Sequence, residues 1–180
     1  MRILKDETYA AIIDIQEKLY PHINNKEQLL ANTGTLIKGL KILNIPIIVT
    51  QQYTKGLGPT IQPLNDVLGQ YLAIEKIAFS CCDESSFMNN QIISGKKWVI
   101  IAGIESHICV LQTVIDLIAN GYIPVIIEDC VSSREEDNKR IAVKRMRSEG
   151  AIVTSCESIL FELCRYAGTD FFKSISKLVK

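Results

Sequence analysis

Residues 97–121 read KWVIIAGIESHICVLQTVIDLIANG, and this stretch decides the fold. It opens with an apolar run at 97–102, passes Gly103, and continues over 108–119 with apolar residues at helical spacing. An apolar run without polar alternation is typical of a strand buried on both faces, and Gly121 is typical of a helix end. The stretch therefore predicts a central strand followed by a helix that packs on it.

The same alternation of short apolar runs and longer amphipathic segments recurs along the chain. It predicts strands at 9–15, 47–50, 72–76, 97–102, 123–128 and 151–154, and helices at 26–43, 108–119, 135–149 and 158–167. Strands that alternate with helices of this length form crossover units and hence a mainly parallel sheet. We predict a single domain over residues 1–180, of the α/β class, with three α/β/α layers.

The composition is that of a globular protein, with 47% hydrophobic and 22% charged residues. Lys+Arg and Asp+Glu are equal at 20 each, whereas proteins that bind nucleic-acid phosphates usually carry a basic excess. No apolar run approaches the roughly 18 residues expected of a membrane span. We therefore expect no nucleic-acid partner and no membrane partner.

The six cysteines, at positions 81, 82, 109, 130, 156 and 164, lack the spacing of a zinc site. In a chain of this size they indicate reduced thiols, and the absence of a signal-peptide pattern adds to the prediction of a cytoplasmic location. There is no HExxH or CxxC motif and no phosphate-binding loop, so we expect neither a metal nor a cofactor.

Three residues follow strands at the edge where parallel sheets place their ligands, and they are candidates for chemistry. Asp14 ends an apolar strand, where burial raises the pKa of a carboxylate, although a turn residue would read the same way. Cys109 lies at the start of a helix, whose dipole favours a thiolate, although most such cysteines are small core residues. Lys76 would stabilise both anions, although surface lysines are the commoner case.

Other arrangements stay open at this point. Cys130, which follows the strand at 123–128, is the second candidate nucleophile, and Cys81 or Cys82 would line the same pocket as Lys76. His107 suggests a Cys–His dyad with Cys109, but neighbours so close in sequence are often badly oriented for each other.

Four stretches, taken in order, resemble the isochorismatase-like cysteine hydrolases over nearly the whole chain. They are AAIIDIQ, VTQQYTKGLGPT, EKIAFSCC and IIAGIESHICVLQTVIDLIANGY, and they resemble most the isochorismatase domain-containing subgroup. The resemblance implies a catalytic triad in which Asp14 takes the proton of Cys109 and Lys76 stabilises the thiolate.

The resemblance also implies a cis peptide bond between Ile104 and Glu105 and an oxyanion hole made by the backbone N–H groups of Glu105 and Cys109. It implies a homo-oligomer as well, because this family commonly assembles. Nicotinamidases of the family hold a metal with an aspartate and histidines, whereas the equivalent region here reads TQQYTKGLGPT. This departure puts nicotinamidase activity in doubt and leaves Gln16, Gln52 and Tyr53 as the predicted substrate-binding residues.

We interpret the chain as an enzyme, a hydrolase of an amide-type C–N bond in a small molecule, acting through a thioester on Cys109. One alternative is a catalytically silent protein that keeps the fold as an interaction scaffold. Another is a redox sensor that uses Cys109 with Cys81 or Cys82, because thiols of low pKa oxidise readily.

Overall fold

The computed structural model describes residues 1–180 and contains one six-stranded sheet covered by helices. The strands are β1 (Thr8–Ile13), β2 (Ile47–Gln52), β3 (Ile74–Lys76), β4 (Trp98–Ile104), β5 (Ile123–Ser132) and β6 (Ile152–Thr154). The helices are α1 (Lys26–Ile42), α2 (Thr54–Leu57), α3 (Gln62–Leu68), α4 (Ser85–Met88), α5 (Leu111–Ala119), α6 (Glu136–Ser148), α7 (Cys156–Cys164) and α8 (Asp170–Leu178). A π-helical turn, Ser106–Val110, leads directly into α5.

The sheet has the order β3-β2-β1-β4-β5-β6, and every neighbouring pair is parallel. The predicted α/β class and the parallel sheet are therefore confirmed. Every residue of β1 and β4 is buried, because both strands carry apolar side chains on both faces and helices cover both sides. One apolar cluster of 27 buried residues and another of 19 include alternate residues of these strands.

The order of the strands fixes where a ligand would bind. From β1 the chain builds outward to β2 and β3, and it then crosses to β4 on the other side of β1 and builds outward again. The loops after β1 and β4 therefore leave the sheet in opposite directions and open a crevice at the carboxyl ends of the strands. The predicted site residues lie at this edge.

The structure differs from the sequence prediction mainly at the ends of elements. β1 ends at Ile13, because Asp14 takes a left-handed conformation with φ of 51°. β5 continues to Ser132, four residues past the predicted end, since it pairs with β4 as far as Ile104. The helices α2, α3, α4 and α8 were not predicted, and α7 ends at Cys164 rather than continuing to 167.

Gly103 of β4 lies directly against Ile13 of β1, and we expect Gly103→Ala to lower the free energy of unfolding by roughly 2–3 kcal/mol. A Cβ at this position would clash with the Ile13 carbonyl oxygen and lie 2.7 Å from its backbone nitrogen, and the φ of +141° disfavours any side chain. Urea unfolding measures the change. Gly34→Ala in α1 is the control, since nothing lies within 4 Å of its added Cβ. Equal stability of the two variants would contradict this close approach of the strands.

Candidate active site

Asp14, Lys76 and Cys109 come from three separate elements and meet at the carboxyl edge of the sheet. Asp14 follows β1, Lys76 is the last residue of β3, and Cys109 lies in the π-helical turn after β4. Lys76 Nζ lies 2.7 Å from Asp14 Oδ2, and both side chains are completely buried. Cys109 lies close enough to this pair for each side chain to change the pKa of the other. Because β2 separates β3 from β1, the long lysine side chain has to reach across β2 to make this contact.

The Asp14 carboxylate has a fixed orientation. Thr50, the register partner of Ile13 on β2, donates a hydrogen bond from Oγ1 to Asp14 Oδ1 at 2.8 Å. Burial raises the pKa of Asp14 above its usual value, while Lys76 and then Thr50 act in the opposite direction. The result is a carboxylate that is paired with an ammonium group and is more basic than an exposed aspartate.

The Lys76 ammonium group has four acceptors around its three protons. Besides Asp14 they are Gln52 Oε1 at 2.5 Å and the carbonyl oxygens of Ala78 and Phe79 at 3.2 and 3.0 Å. Burial alone would lower the pKa of Lys76, but the charges of Asp14 and Cys109 raise it above its usual value. The buried lysine therefore stays charged, because its charge is both paired and hydrogen-bonded.

Cys109 is 6% exposed, and its environment favours the neutral thiol. Burial, and after it the charge of Asp14, raises the pKa of Cys109 to about 12, although Lys76 opposes the shift. The helix start was expected to favour a thiolate, and this expectation is wrong because burial and the neighbouring carboxylate raise the pKa of the thiol. The thiol needs a base next to it, and Asp14 is the buried carboxylate whose charge acts on it.

The segment between β4 and Cys109 carries a backbone donor without a backbone acceptor, the N–H of Glu105. The Ile104–Glu105 peptide bond is cis. The backbone N–H of Glu105 donates to no backbone acceptor, whereas its carbonyl oxygen accepts from the N–H groups of Ile108 and Val110. The Glu105 side chain points away to Arg134, whose backbone N–H donates to Oε2 at 3.0 Å. A cavity of about 390 Å³ adjoins Glu105 and is lined by Leu19, His22, Ile23, Glu105 and Arg134.

The three predicted substrate-binding residues have different surroundings. Gln16 is completely buried, and its amide contacts the backbone of Gln52 and Gly58 at 2.6–2.9 Å, which favours a structural role over substrate binding. The Gln52 side chain donates to the Ile77 carbonyl at 2.7 Å while accepting from Lys76, so it holds the lysine in place. Tyr53 is 48% exposed beside the site and is free to contact a ligand.

The alternative nucleophiles are placed differently. Cys81 is buried with its sulfur 3.8 Å from Thr50 Oγ1, so it lies behind the site, and burial raises its pKa to about 11. Cys130 is completely buried in the core, where burial strongly raises the pKa of its thiol. His107 Nδ1 lies 2.9 Å from Ser133 Oγ, whereas the groups that act on the pKa of the Cys109 thiol are Asp14 and Lys76. The structure does not bring a Cys–His dyad together.

Thr50, Arg134 and Ser133 are residues at the site that the sequence did not single out. Thr50 is part of the sequence VTQQ, and nothing in this sequence distinguishes it from an ordinary strand residue. Arg134 contacts Glu105 from 29 residues away, and nothing in the local pattern indicates the pairing.

No group of three or more His, Cys, Asp and Glu side chains is arranged to hold a metal ion. None of the helices has both the length and the apolar character needed to cross a bilayer.

Comparison with known proteins gives consistent matches over the whole chain. Residues 10–158 match the isochorismatase domain. The chain is 35% identical to the secreted isochorismatase effector Isc1 of Phytophthora sojae, over 99% of this chain and 87% of that protein. It is also 35% identical to isochorismatase domain-containing protein 2 of Danio rerio, over 93% of this chain and 84% of that protein.

Among solved structures, the MAR1 ribonuclease of Caenorhabditis elegans superposes with a TM-score of 0.92 at 34% identity. The superposition covers 99% of this chain and 92% of that chain. The resemblance read from the sequence motifs is therefore confirmed, and the three-layer fold is that of a solved relative.

Proposed function

The chain belongs to the isochorismatase family, and we propose that within it this protein is a hydrolase that cleaves an amide-type C–N bond of a small molecule through Cys109. The observation that carries the proposal is the completely buried Asp14–Lys76 pair, with Cys109 near enough for both charges to act on its pKa. A nucleophile, a base beside it and a cation that holds the base are the parts that covalent acyl transfer needs.

In the first step, the Cys109 proton moves to Asp14 as the sulfur attacks the substrate carbonyl. Negative charge develops on the carbonyl oxygen, and we assign the backbone N–H groups of Glu105 and Cys109 to its stabilisation. The tetrahedral adduct then collapses, the C–N bond breaks, and the amine leaves with the proton that Asp14 had taken. A thioester remains on Cys109, and no external oxidant or reductant is needed.

In the second step, a water molecule gives a proton to Asp14 and adds to the thioester. Collapse of this adduct breaks the C–S bond, returns the proton to the sulfur and releases the carboxylic acid. Lys76 keeps its positive charge throughout, because it stabilises the carboxylate in the resting state and the sulfur anion as it forms. Tyr53, which is exposed and whose backbone N–H donates to the Lys76 carbonyl, is the residue that we assign to substrate contact.

Phosphodiester cleavage is the second candidate, because the solved relative at 34% identity is named a ribonuclease. Amide hydrolysis is favoured over it because the chain carries 20 basic and 20 acidic residues and so no excess of positive charge for an RNA backbone. The redox-sensor alternative requires a thiol of low pKa, whereas burial raises the pKa of both Cys109 and Cys81. The scaffold alternative predicts no reaction at all.

The test is a panel of small aliphatic and aromatic primary amides, with a single-stranded oligoribonucleotide as a separate arm. We expect ammonia release from one class of amide, lost in Cys109→Ala and retained in Cys130→Ala. Cleavage of the oligoribonucleotide that requires Cys109, without amide hydrolysis, would replace this proposal by the second candidate. No reaction in either arm, together with an unreactive Cys109, would favour the scaffold.

The predicted homo-oligomer and cytoplasmic location stay proposals. Exposed apolar side chains beside the site, namely Tyr53, Ile77 and Phe79, support self-association, as does the net charge of zero. All six cysteines are unpaired, which supports a reducing compartment, although the relative from Phytophthora sojae is named a secreted effector.

A further inference from the structure

Two consecutive residues at the end of β5 hold the segment that carries Cys109. The backbone N–H of Arg134 donates to Glu105 Oε2 at 3.0 Å, and Arg134 Nε lies 3.2 Å from the same oxygen. Ser133 Oγ lies 2.9 Å from His107 Nδ1. We call Ser133 and Arg134 the β5 clamp. Its contacts are made to alternate residues of the segment GIESHIC, just before the cysteine.

The β5 clamp is itself fixed to the rest of the fold. Ser132, the residue before it, is paired in register with Ile104 of β4. The Ser132 hydroxyl donates to the Asn24 carbonyl at 2.8 Å, and the Asn24 N–H donates to the Ser133 carbonyl at 3.0 Å. The clamp is therefore tied both to the sheet and to the segment before α1, so it is a rigid support for the residues that it holds.

The Glu105–Arg134 ion pair is better placed to hold Glu105 in position than to add to the free energy of unfolding. The Glu105 side chain is 8% exposed, whereas the Arg134 side chain is 60% exposed. An ion pair with one partner so open to solvent adds little to folding. A nearly buried carboxylate that is held at one oxygen by two donors from the same residue has, however, lost most of its freedom to move.

Glu105 is also the residue whose backbone N–H we assign to the oxyanion. We propose that Arg134 is a positioning residue that holds Glu105 so that this N–H faces the oxygen of the attacked carbonyl. The inference rests on the proposed acyl transfer. Arg134 acts through Glu105 and does not touch the reacting atoms. Donors of this kind act only when they are aligned in advance, so a small displacement of Glu105 lowers the rate of acylation.

Two reactions of the Cys109 sulfur distinguish the positioning of Glu105 by Arg134 from a general effect of Arg134 on the structure of the site. Acetylation by 4-nitrophenyl acetate passes through an oxyanion, whereas alkylation by iodoacetamide displaces iodide and forms none. Arg134→Ala removes the Nε donor and its charge but keeps the backbone N–H, and we expect it to lower the acetylation rate of Cys109 roughly 10-fold. Alkylation should stay at the wild-type rate. Arg140→Ala, an exposed arginine of α6, is the matched control and should change neither reaction.

A double-mutant cycle with Glu105→Gln tests whether Arg134 acts through Glu105. The double variant should be no slower in acetylation than the slower single variant, because both substitutions remove the same ion pair and leave the backbone N–H of residue 134 in place. Multiplied effects, an unchanged acetylation rate in Arg134→Ala, or an equal fall of acetylation and alkylation would each overturn the inference. If wild-type Cys109 is not acetylated at all, the proposed function itself fails. If the wild type and the variants are acetylated at equal rates, only the role of Arg134 fails.

Discussion

Asp14→Asn should lower acyl transfer to Cys109 roughly 10²- to 10⁴-fold, the range that a positioned general base contributes. Asparagine keeps the shape of the side chain and tolerates the left-handed backbone of this position, where φ is 51°. It cannot take the thiol proton. The variant therefore removes the base but keeps its shape, and Lys76 retains Gln52 Oε1 and the carbonyl oxygens of Ala78 and Phe79 as acceptors.

The same variant should react faster with iodoacetamide at neutral pH. The charge of Asp14 is a cause of the raised pKa of Cys109, and its removal leaves the Cys109 thiolate as the remaining anion beside Lys76. The pKa of Cys109 should then fall, and the thiolate fraction at a given pH should rise. Opposite changes in the two reactions are the signature of a base that also raises the pKa of its nucleophile.

Rates of 4-nitrophenyl acetate and iodoacetamide modification, measured across pH by mass spectrometry of the Cys109 peptide, check both expectations. Asp6→Asn, at an exposed aspartate of the N-terminal segment, is the control for a general change of charge. If Asp14→Asn retains acetylation, the base assignment is wrong. If it slows alkylation as much as acetylation, the site has been disrupted instead.

Lys76→Met should lower the free energy of unfolding by about 3–5 kcal/mol, because it leaves the completely buried Asp14 carboxylate without its cation. Methionine has a similar length but offers no proton to Asp14 or Gln52. Removing one partner of a buried pair is far more damaging than removing both, since the remaining charge has no compensation.

The double variant Asp14→Asn/Lys76→Met should recover most of this loss, and urea unfolding measures all three variants. Lys55→Met, at an exposed lysine of α2, controls for the loss of a surface charge and should stay close to the wild type. A Lys76→Met protein as stable as Lys55→Met, or a double variant less stable than Lys76→Met, would contradict the buried pair.

The apolar runs were sufficient to predict the sheet, because β4 and the first part of β5 are so uniformly apolar that only a strand buried on both faces accounts for them. The helices α3 and α8 show the limits of this pattern. Helix α3 has only seven residues, and α8 follows Gly168 closely enough to read as the end of α7. Thr169, whose side chain accepts from the Phe172 N–H, is the cap that would have indicated a separate helix.

Only those site residues that lie at the ends of strands could be predicted from the sequence. Asp14, Lys76 and Cys109 lie at or just after the carboxyl ends of strands, so the rule for parallel sheets selects them. Thr50 and Arg134 owe their roles to partners 36 and 29 residues away, and such pairings are visible only in three dimensions. The pKa of Cys109 was expected in the wrong direction, because burial is a property of the packed site that the helix start does not reveal.

The central claim is that Cys109, and no other cysteine, takes up an acyl group. The most direct measurement is brief treatment with 4-nitrophenyl acetate, followed by acid quench and mass spectrometry of every cysteine-containing peptide. We predict an acetyl group on Cys109 of the wild type that disappears on further incubation as water hydrolyses the thioester, and none at this position in Cys109→Ala. Acetylation spread evenly over the six cysteines, or centred on Cys82 or Cys164, would contradict the claim.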